Sequence, residues 1–344
     1  MPAATGKGGT MALNNMTEAD MPPMLREIDA GPAAWTDKSL PQDAGRFSVT
    51  DACLDELREV AKAVEENPLP TTVLTHADFD LSSCQALMAS VRASLGDGVG
   101  FAIIDRLPVE EMRPETAIKL YWLLGNMVAR TVAQKWDGTM IYDVRDTGRE
   151  ITPGNGVRSS TTNAGQTFHV DNSFNMPPDY VGLFCIRPAM EGGLSGVASF
   201  QTIHNQLLQE RPDLLERLYQ PFWFDRQHEH APDDPQHANS WPVFRYDGKA
   251  IATRFSTRLI LGGHDVAGEP IDDLGREAVE FVAATLDRPG MCRDFQFEPG
   301  QIQFLNNRRL GHRRTAFKDW PEPERRRHLI RLWFRDSGRP FYDG

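Results

Sequence analysis

Cysteine is scarce. The 344 residues hold four, Cys53, Cys84, Cys185 and Cys292, and no two of them form a CxxC pair. A zinc ribbon needs paired thiols and a small secreted scaffold needs many, so both are excluded. Reduced, mostly buried thiols in a cytoplasmic protein are the simplest reading. Positive charge is also short: 37 basic against 48 acidic side chains leave a net charge of -11. A chain of that sign repels phosphate backbones, so no nucleic-acid partner is expected without a local basic patch. No run approaches the roughly 18 consecutive apolar residues of a membrane helix, and no membrane partner is expected. The N-terminal stretch is rich in Gly, Met and Pro and lacks the apolar core of a signal peptide. Residues 1–40 therefore read as a flexible leader.

Residues 41–344 read as one domain. Its first part, about 48–135, is a helical layer. Within Ser48 to Glu66 the apolar residues Leu54, Leu57, Val60, Ala61 and Val64 recur at helical spacing after a Thr-Asp cap region. "SSCQALMASVRASLGDG" and "ETAIKLYWLLGNMVARTVAQ" predict two more helices, with the short strand "GFAIIDRLP" between them. From about residue 136 the pattern changes to short β-like runs such as "YVGLFCI", "GVASFQ", "CRDFQFEP", "GQIQFLN" and "HLIRLWF". Two helices interrupt them, "TIHNQLLQERPDLLERLY" and "IDDLGREAVEFVAATLDRP". Many short strands split by turns suggest a barrel or sandwich rather than a parallel βαβ sheet. The fold class is mainly β with flanking helices.

One stretch carries chemistry: "QTFHVDNSF", from Gln166 to Phe174. On a strand, residues i and i+2 share a face. His169 and Asp171 would then both face the interior, where an imidazole and a carboxylate can hold two positions of a divalent metal. With a second His they make the 2-His-1-carboxylate triad of non-haem Fe(II) oxygenases. A bare HxD is weak evidence, since a lone buried His is more often a satisfied core residue. Three later features add weight. His312 follows the β-run Gln301 to Leu305. Arg327 opens the last β-run, and a guanidinium suits a carboxylate. Ser195, in "EGGLSGVAS", offers a hydroxyl to the same carboxylate.

"FHVDNSF", "GGLSGVAS", "FLNNRRLGHRRTAF" and "RRHLIRLWF", in this order, resemble the Fe(II)/2-oxoglutarate-dependent dioxygenases of the taurine dioxygenase and clavaminate synthase-like group. The resemblance runs from about Gln166 to the C-terminus and is less distinct over the helices. It implies a double-stranded β-helix (jelly roll, cupin-like) core at about 136–344, in a single catalytic domain. It implies Fe(II), 2-oxoglutarate and O2 as metal and co-substrates, with His169, Asp171 and His312 as iron ligands. Arg327, helped by Ser195, matches the position that binds the distal carboxylate of 2-oxoglutarate. Arg331 looks like the position that binds a substrate anion or the co-substrate. The activity implied is hydroxylation of an unactivated C–H of a small, amino-acid-like or carboxylated molecule, with succinate and CO2 as co-products. Desaturation, epoxidation and cyclisation stay open. The related halogenases carry a small residue in place of Asp171, so its presence argues against halogenation.

The Gly/Ser/Thr-rich stretch before the HxD reads as an ordinary connection or a lid, in which Arg158, Ser159 or Ser160 would touch substrate. His228, His230 and His237 read as a solvated loop or active-site rim, His204 and His264 as packing or surface residues. Arg308, Arg309, Arg313, Arg314, Arg325 and Arg326 read as surface or ion-paired side chains. The readings that compete with an oxygenase are a zinc hydrolase and a non-enzymatic metal- or ligand-binding β-barrel. The expected partner is a small-molecule substrate, and a homo-oligomer is compatible with the chain.

Overall fold

The computed structural model describes residues 23–150 and 157–343. Three helices lead: α1 (Asp51–Glu66), α2 (Ser82–Gly96) and α3 (Pro114–Val128). Thr50 caps α1 by accepting from the Cys53 N–H. No side chain of its own caps α2. Glu56 of α1 does so instead, accepting from the Ser83 and Cys84 N–H groups at 2.7 and 2.9 Å.

Among the described residues the larger sheet has seven strands: β1 (Arg46–Phe47), β2 (Phe101–Ile104), β3 (Arg130–Val132), β4 (Tyr142–Val144), β6 (Tyr180–Arg187), β14 (Ile302–Asn306) and β17 (His328–Arg335). Their order is β1-β2-β14-β6-β17-β3, with β4 also paired to β17. The smaller sheet runs β13-β8-β15-β5, from β5 (Gln166–His169), β8 (Ser195–Ser199), β13 (Cys292–Phe295) and β15 (Leu310–Arg314). Three ribbons complete the strands: β7 (Glu191–Gly192) with β16 (Phe317–Lys318), β9 (Pro221–Asp225) with β10 (Ala238–Pro242), and β11 (Phe244–Tyr246) with β12 (Ile251–Thr253). The two sheets face each other as a jelly roll.

Strand alternation builds two cores from one sheet. On β17, Ile330, Leu332 and Phe334 pack outward against the helices, while Leu329 and Trp333 join the core between the sheets. On β6, Phe184 and Ile186 face the helices, and Val181 and Cys185 face inward. Gly182 is required here, because a Cβ would lie 2.3 Å from the Tyr121 hydroxyl of α3.

Several sequence expectations change. Residues 1–22 of the expected leader lie outside the described residues, but residues 23–40 pack on the core. Trp35 is buried and donates to the Val99 carbonyl at 2.8 Å. The helical layer and the β core are interleaved, since β1 and β2 join the larger sheet. The helix expected from Thr202 to Tyr219 is two, α4 (Phe200–Glu210) and α5 (Pro212–Leu218), because Pro212 cannot continue α4. Besides α7 (Asp273–Leu286) there is α6 (Thr257–Ala267), whose Gly262-Gly263 pair reads as a breaker. Gly263 lets α6 press on β9, where a Cβ would meet the Trp223 carbonyl oxygen at 2.4 Å.

Candidate active site

The smaller sheet sets the two histidines opposite each other. β15 pairs antiparallel with β5, and His312 lies directly across from His169. Their ring centroids are 4.3 Å apart. His169 is the last residue of β5, and Asp171 stands in the turn just beyond it rather than on the strand. Asn307 holds that turn at both ends of the Asp171 backbone. Its Oδ1 accepts from the Asp171 N–H at 2.8 Å, and its Nδ2 donates to the Asp171 carbonyl at 3.0 Å.

Asp171 Oδ1 faces both imidazoles, 3.5 Å from His169 Nε2 and 3.7 Å from His312 Nε2. Oδ2 accepts from Trp333 Nε1 at 2.7 Å and lies 3.1 Å from Arg331 Nη1. Burial alone would raise the Asp171 carboxyl, but Arg331 and the two histidines hold it well below the usual carboxylate range. Burial lowers His312 to about 3, with His169 and Arg331 acting in the same direction against Asp171. The site therefore offers an ionised carboxylate and a neutral imidazole, the protonation states a metal ligand needs. Among the described residues, His169, Asp171 and His312 are the one group of three such side chains whose ligand atoms all lie within 4.8 Å.

Two cavities meet at this group. The outer one, about 290 Å³, is bordered by Arg158, Ser160, His169, Asp171, Arg258 and Arg331. The inner one, about 30 Å³, reaches Ser195, His312, Arg314 and Arg327, and shares Ser160, His169 and Arg331 with the outer. Arg327 stands just before β17 and is 4 % exposed; among the described residues its buried Nη1 has no partner. Burial lowers it to about 10. Ser195 Oγ donates to Gln303 Oε1 at 3.3 Å. Arg331 has Gln134 Oε1 on its Nε at 2.8 Å and Asp171 on its Nη1, so its nearest anion in this state is the triad carboxylate. At the rim Arg158 pairs with Glu229, and the Ser160 and Tyr142 hydroxyls are 3.3 Å apart.

The loop between β9 and β10 brings His228, His230 and His237 together, with ring centroids 5.3–6.5 Å apart. Glu229 of the same loop holds Arg158, so this segment is a rim of the site. His204 is a packing residue, with Nε2 3.0 Å from the Tyr219 hydroxyl. Arg314 departs from the expected surface role: it is 5 % exposed and makes no ion pair among the described residues. Burial, with Arg327 adding to it, lowers it to about 9. Sequence reasoning also passed over Trp333, Gln134 and Asn307. Trp333 had a signal, since it lies two residues past Arg331 on one strand and so shares its face.

The family model for "Taurine catabolism dioxygenase TauD, TfdA family" matches residues 65–333. The chain belongs to the TauD/TfdA family. It is thus a non-haem iron oxygenase that depends on 2-oxoglutarate and uses Fe(II) and O2. Among curated relatives, FR-33289 synthase of Streptomyces rubellomurinus is 27% identical over 92% of this chain and 94% of its own. The taurine hydroxylase-like protein SAT17 of Stachybotrys chartarum is 25% identical over 83% of this chain and 73% of its own. A solved asparagine oxygenase, in complex with Fe(II), 2S,3S-3-hydroxyasparagine and succinate, shares the fold with a TM-score of 0.66 at 16% identity, covering 85% of this chain and 94% of that one. The non-haem iron oxygenase OrfP, with Fe and alpha-ketoglutaric acid, gives 0.60 at 16% identity, with 85% and 94% coverage. Among the described residues no helix is long and apolar enough to cross a membrane.

Proposed function

We propose that His169, Asp171 and His312 hold the iron, that Arg327 and Ser195 receive the distal carboxylate of 2-oxoglutarate, and that the outer cavity takes a small amino-acid-like or carboxylated substrate for hydroxylation. The observation that carries this is the convergence of two imidazoles and one ionised carboxylate on a point between the two cavities. The buried, partnerless Nη1 of Arg327 fits the co-substrate, because a desolvated guanidinium without an acceptor is costly and a carboxylate supplies one. Bound there, iron and 2-oxoglutarate supply an oxidant for C–H bonds, with succinate and CO2 released. The chain's own part is positioning and water exclusion. Trp333 fixes the rotation of Asp171, Arg331 holds its charge, and Asn307 fixes its backbone. Arg331 also faces the outer cavity, where a substrate carboxylate competes with Asp171 for its donors. Arg158 and Ser160 form the wall nearest the rim. The names of the asparagine oxygenase and of OrfP with (3S)-hydroxy-L-Arg support an amino-acid-like substrate. Four cysteines without disulfides support a cytoplasmic setting.

The test is spectroscopic. The anaerobic, Fe(II)-loaded protein is mixed with 2-oxoglutarate and its visible spectrum recorded. A weak charge-transfer band in the green that disappears in Asp171→Ala and His312→Ala supports the assignment, and a substrate screen by succinate release follows. Bound iron without a band refutes the co-substrate reading.

A further inference from the structure

Arg314 lies two residues after His312 on β15 and so shares its inward face. Three of its features call for explanation. Its Nη2 donates to three backbone carbonyls of one segment: Ser159 at 3.3 Å, Thr162 at 2.9 Å, and Ala164. Among the described residues its Nη1 and Nε are buried without partners, as is Nη1 of Arg327. The two guanidinium carbons lie 4.8 and 5.1 Å from the centre of one ring, that of Phe317, and both side chains line the inner cavity. Two cations thus share a desolvated space, and no carboxylate is in ion-pair reach of either among the described residues. Unpaired buried charge of one sign is unfavourable, and neutral ligands relieve it poorly. A carboxylate, with about four lone-pair sites, can accept from both guanidinium groups. A cavity of about 30 Å³ admits two water-sized groups, the size of a carboxylate's two oxygens.

We propose that Arg314 is a second guanidinium for the distal carboxylate of the co-substrate, and that through its other edge it ties the segment 159–164 to that anion. The inference rests on the co-substrate reading above. Arg314 has one face on the cavity and one on the segment. An anion in the cavity draws the guanidinium inward and holds it, and the guanidinium holds the carbonyls. Ser160 of that segment also borders the substrate cavity, so filling the inner cavity sets one wall of the outer. Linkage makes the effect reciprocal: substrate contacts on this wall strengthen co-substrate binding. Arg314 is a positioning residue for the segment as well as a ligand for the anion.

The experiment uses the full chain loaded anaerobically with Fe(II). Binding of 2-oxoglutarate is measured by calorimetry, and amide hydrogen exchange is followed over residues 159–164. In the wild type 2-oxoglutarate binds and slows exchange in the segment. 2-Oxopentanoate keeps the 2-oxo acid but lacks the distal carboxylate; it leaves exchange there unchanged at saturation. Arg314→Gln binds 2-oxoglutarate roughly 10- to 100-fold more weakly, as expected for a lost charge-assisted contact, and its segment no longer responds. Arg327→Gln serves as the control for the cavity itself. Binding that Arg327→Gln weakens and Arg314→Gln keeps within twofold overturns this inference and leaves the co-substrate reading standing. So does protection of 159–164 by 2-oxopentanoate equal to that by 2-oxoglutarate, a comparison that needs no variant to fold. A wild type that binds no 2-oxoglutarate overturns both.

Discussion

Trp333→Phe isolates what orients the carboxylate proposed to bind the metal. Asp171 has two oxygens with different tasks. Oδ1 faces His169 and His312, and Oδ2 accepts from Trp333 Nε1 at 2.7 Å. Arg331 Nη1 lies 3.3 Å from Oδ1 and 3.1 Å from Oδ2, so it attracts the carboxylate without selecting a rotation. The indole N–H reaches Oδ2 alone and leaves Oδ1 for the metal. Phe keeps an aromatic ring in the core and its contact with Tyr342, whose ring stacks on Trp333 at 6.5 Å. The variant then loses chiefly one buried hydrogen bond to a charged acceptor, about 1.5–3 kcal/mol. Changes of this kind behind a metal ligand cost 10- to 100-fold in affinity, about 1.4–2.7 kcal/mol, and the two magnitudes agree. Anaerobic calorimetry with Fe(II) measures it, with near-UV circular dichroism to show that the variant is folded. A folded Trp333→Phe that binds Fe(II) within twofold of the wild type refutes the argument and makes Arg331 sufficient.

Arg327→Gln is expected to raise the KM for 2-oxoglutarate roughly 10- to 100-fold, read by succinate release; an unchanged KM removes Arg327 from the co-substrate site. Glu56→Ala uncaps α2 and is expected to cost about 1 kcal/mol, the value of an ordinary helix cap. Burial acts to raise the Glu56 carboxyl, but the Ser83 and Cys84 N–H groups win and lower it to about 2 from 4.5. A depressed folded value means that its contribution is present above 4.5 and lost as the pH falls through about 2. The difference in melting temperature between wild type and variant should therefore shrink across that window, and a constant difference would contradict the cap. Gly182→Ala puts a methyl 2.3 Å from the Tyr121 hydroxyl and 3.0 Å from the Phe304 ring, an overpacking cost of about 1–3 kcal/mol. Adding Tyr121→Phe should recover part of it, and strictly additive denaturant midpoints would show that the hydroxyl is not the obstacle.

The proposed metal ligands were legible in the sequence because each sits in a readable local pattern. His169 and Asp171 stand two apart, and His312 follows a readable apolar run. What escaped depended on register. "LGHRR" has no sustained alternating apolar pattern, because after the core residue Leu310 its inward positions are taken by His312 and Arg314. A run of arginines then looks uniformly like surface. Once the pairing of His312 with His169 is known, parity separates them. Arg313 points out to Asp287 and Asp294, and Arg314 points in, with three carbonyls and, among the described residues, no counter-ion. The same parity on β17 extends inward from Arg331 to Trp333, whose apolar body reads as core and whose single N–H does the orienting. The α6 helix was hidden for the converse reason. Gly262 and Gly263 signal a break locally, yet Gly263 serves a contact with β9 that no local pattern records. In each case a residue was chosen for a partner far away in the chain, and the partner that matters most is the one that fixes register. The pairing of the two histidines, made by the strands that carry them, therefore sets both the candidate metal site and the face of that sheet on which Arg314 must lie.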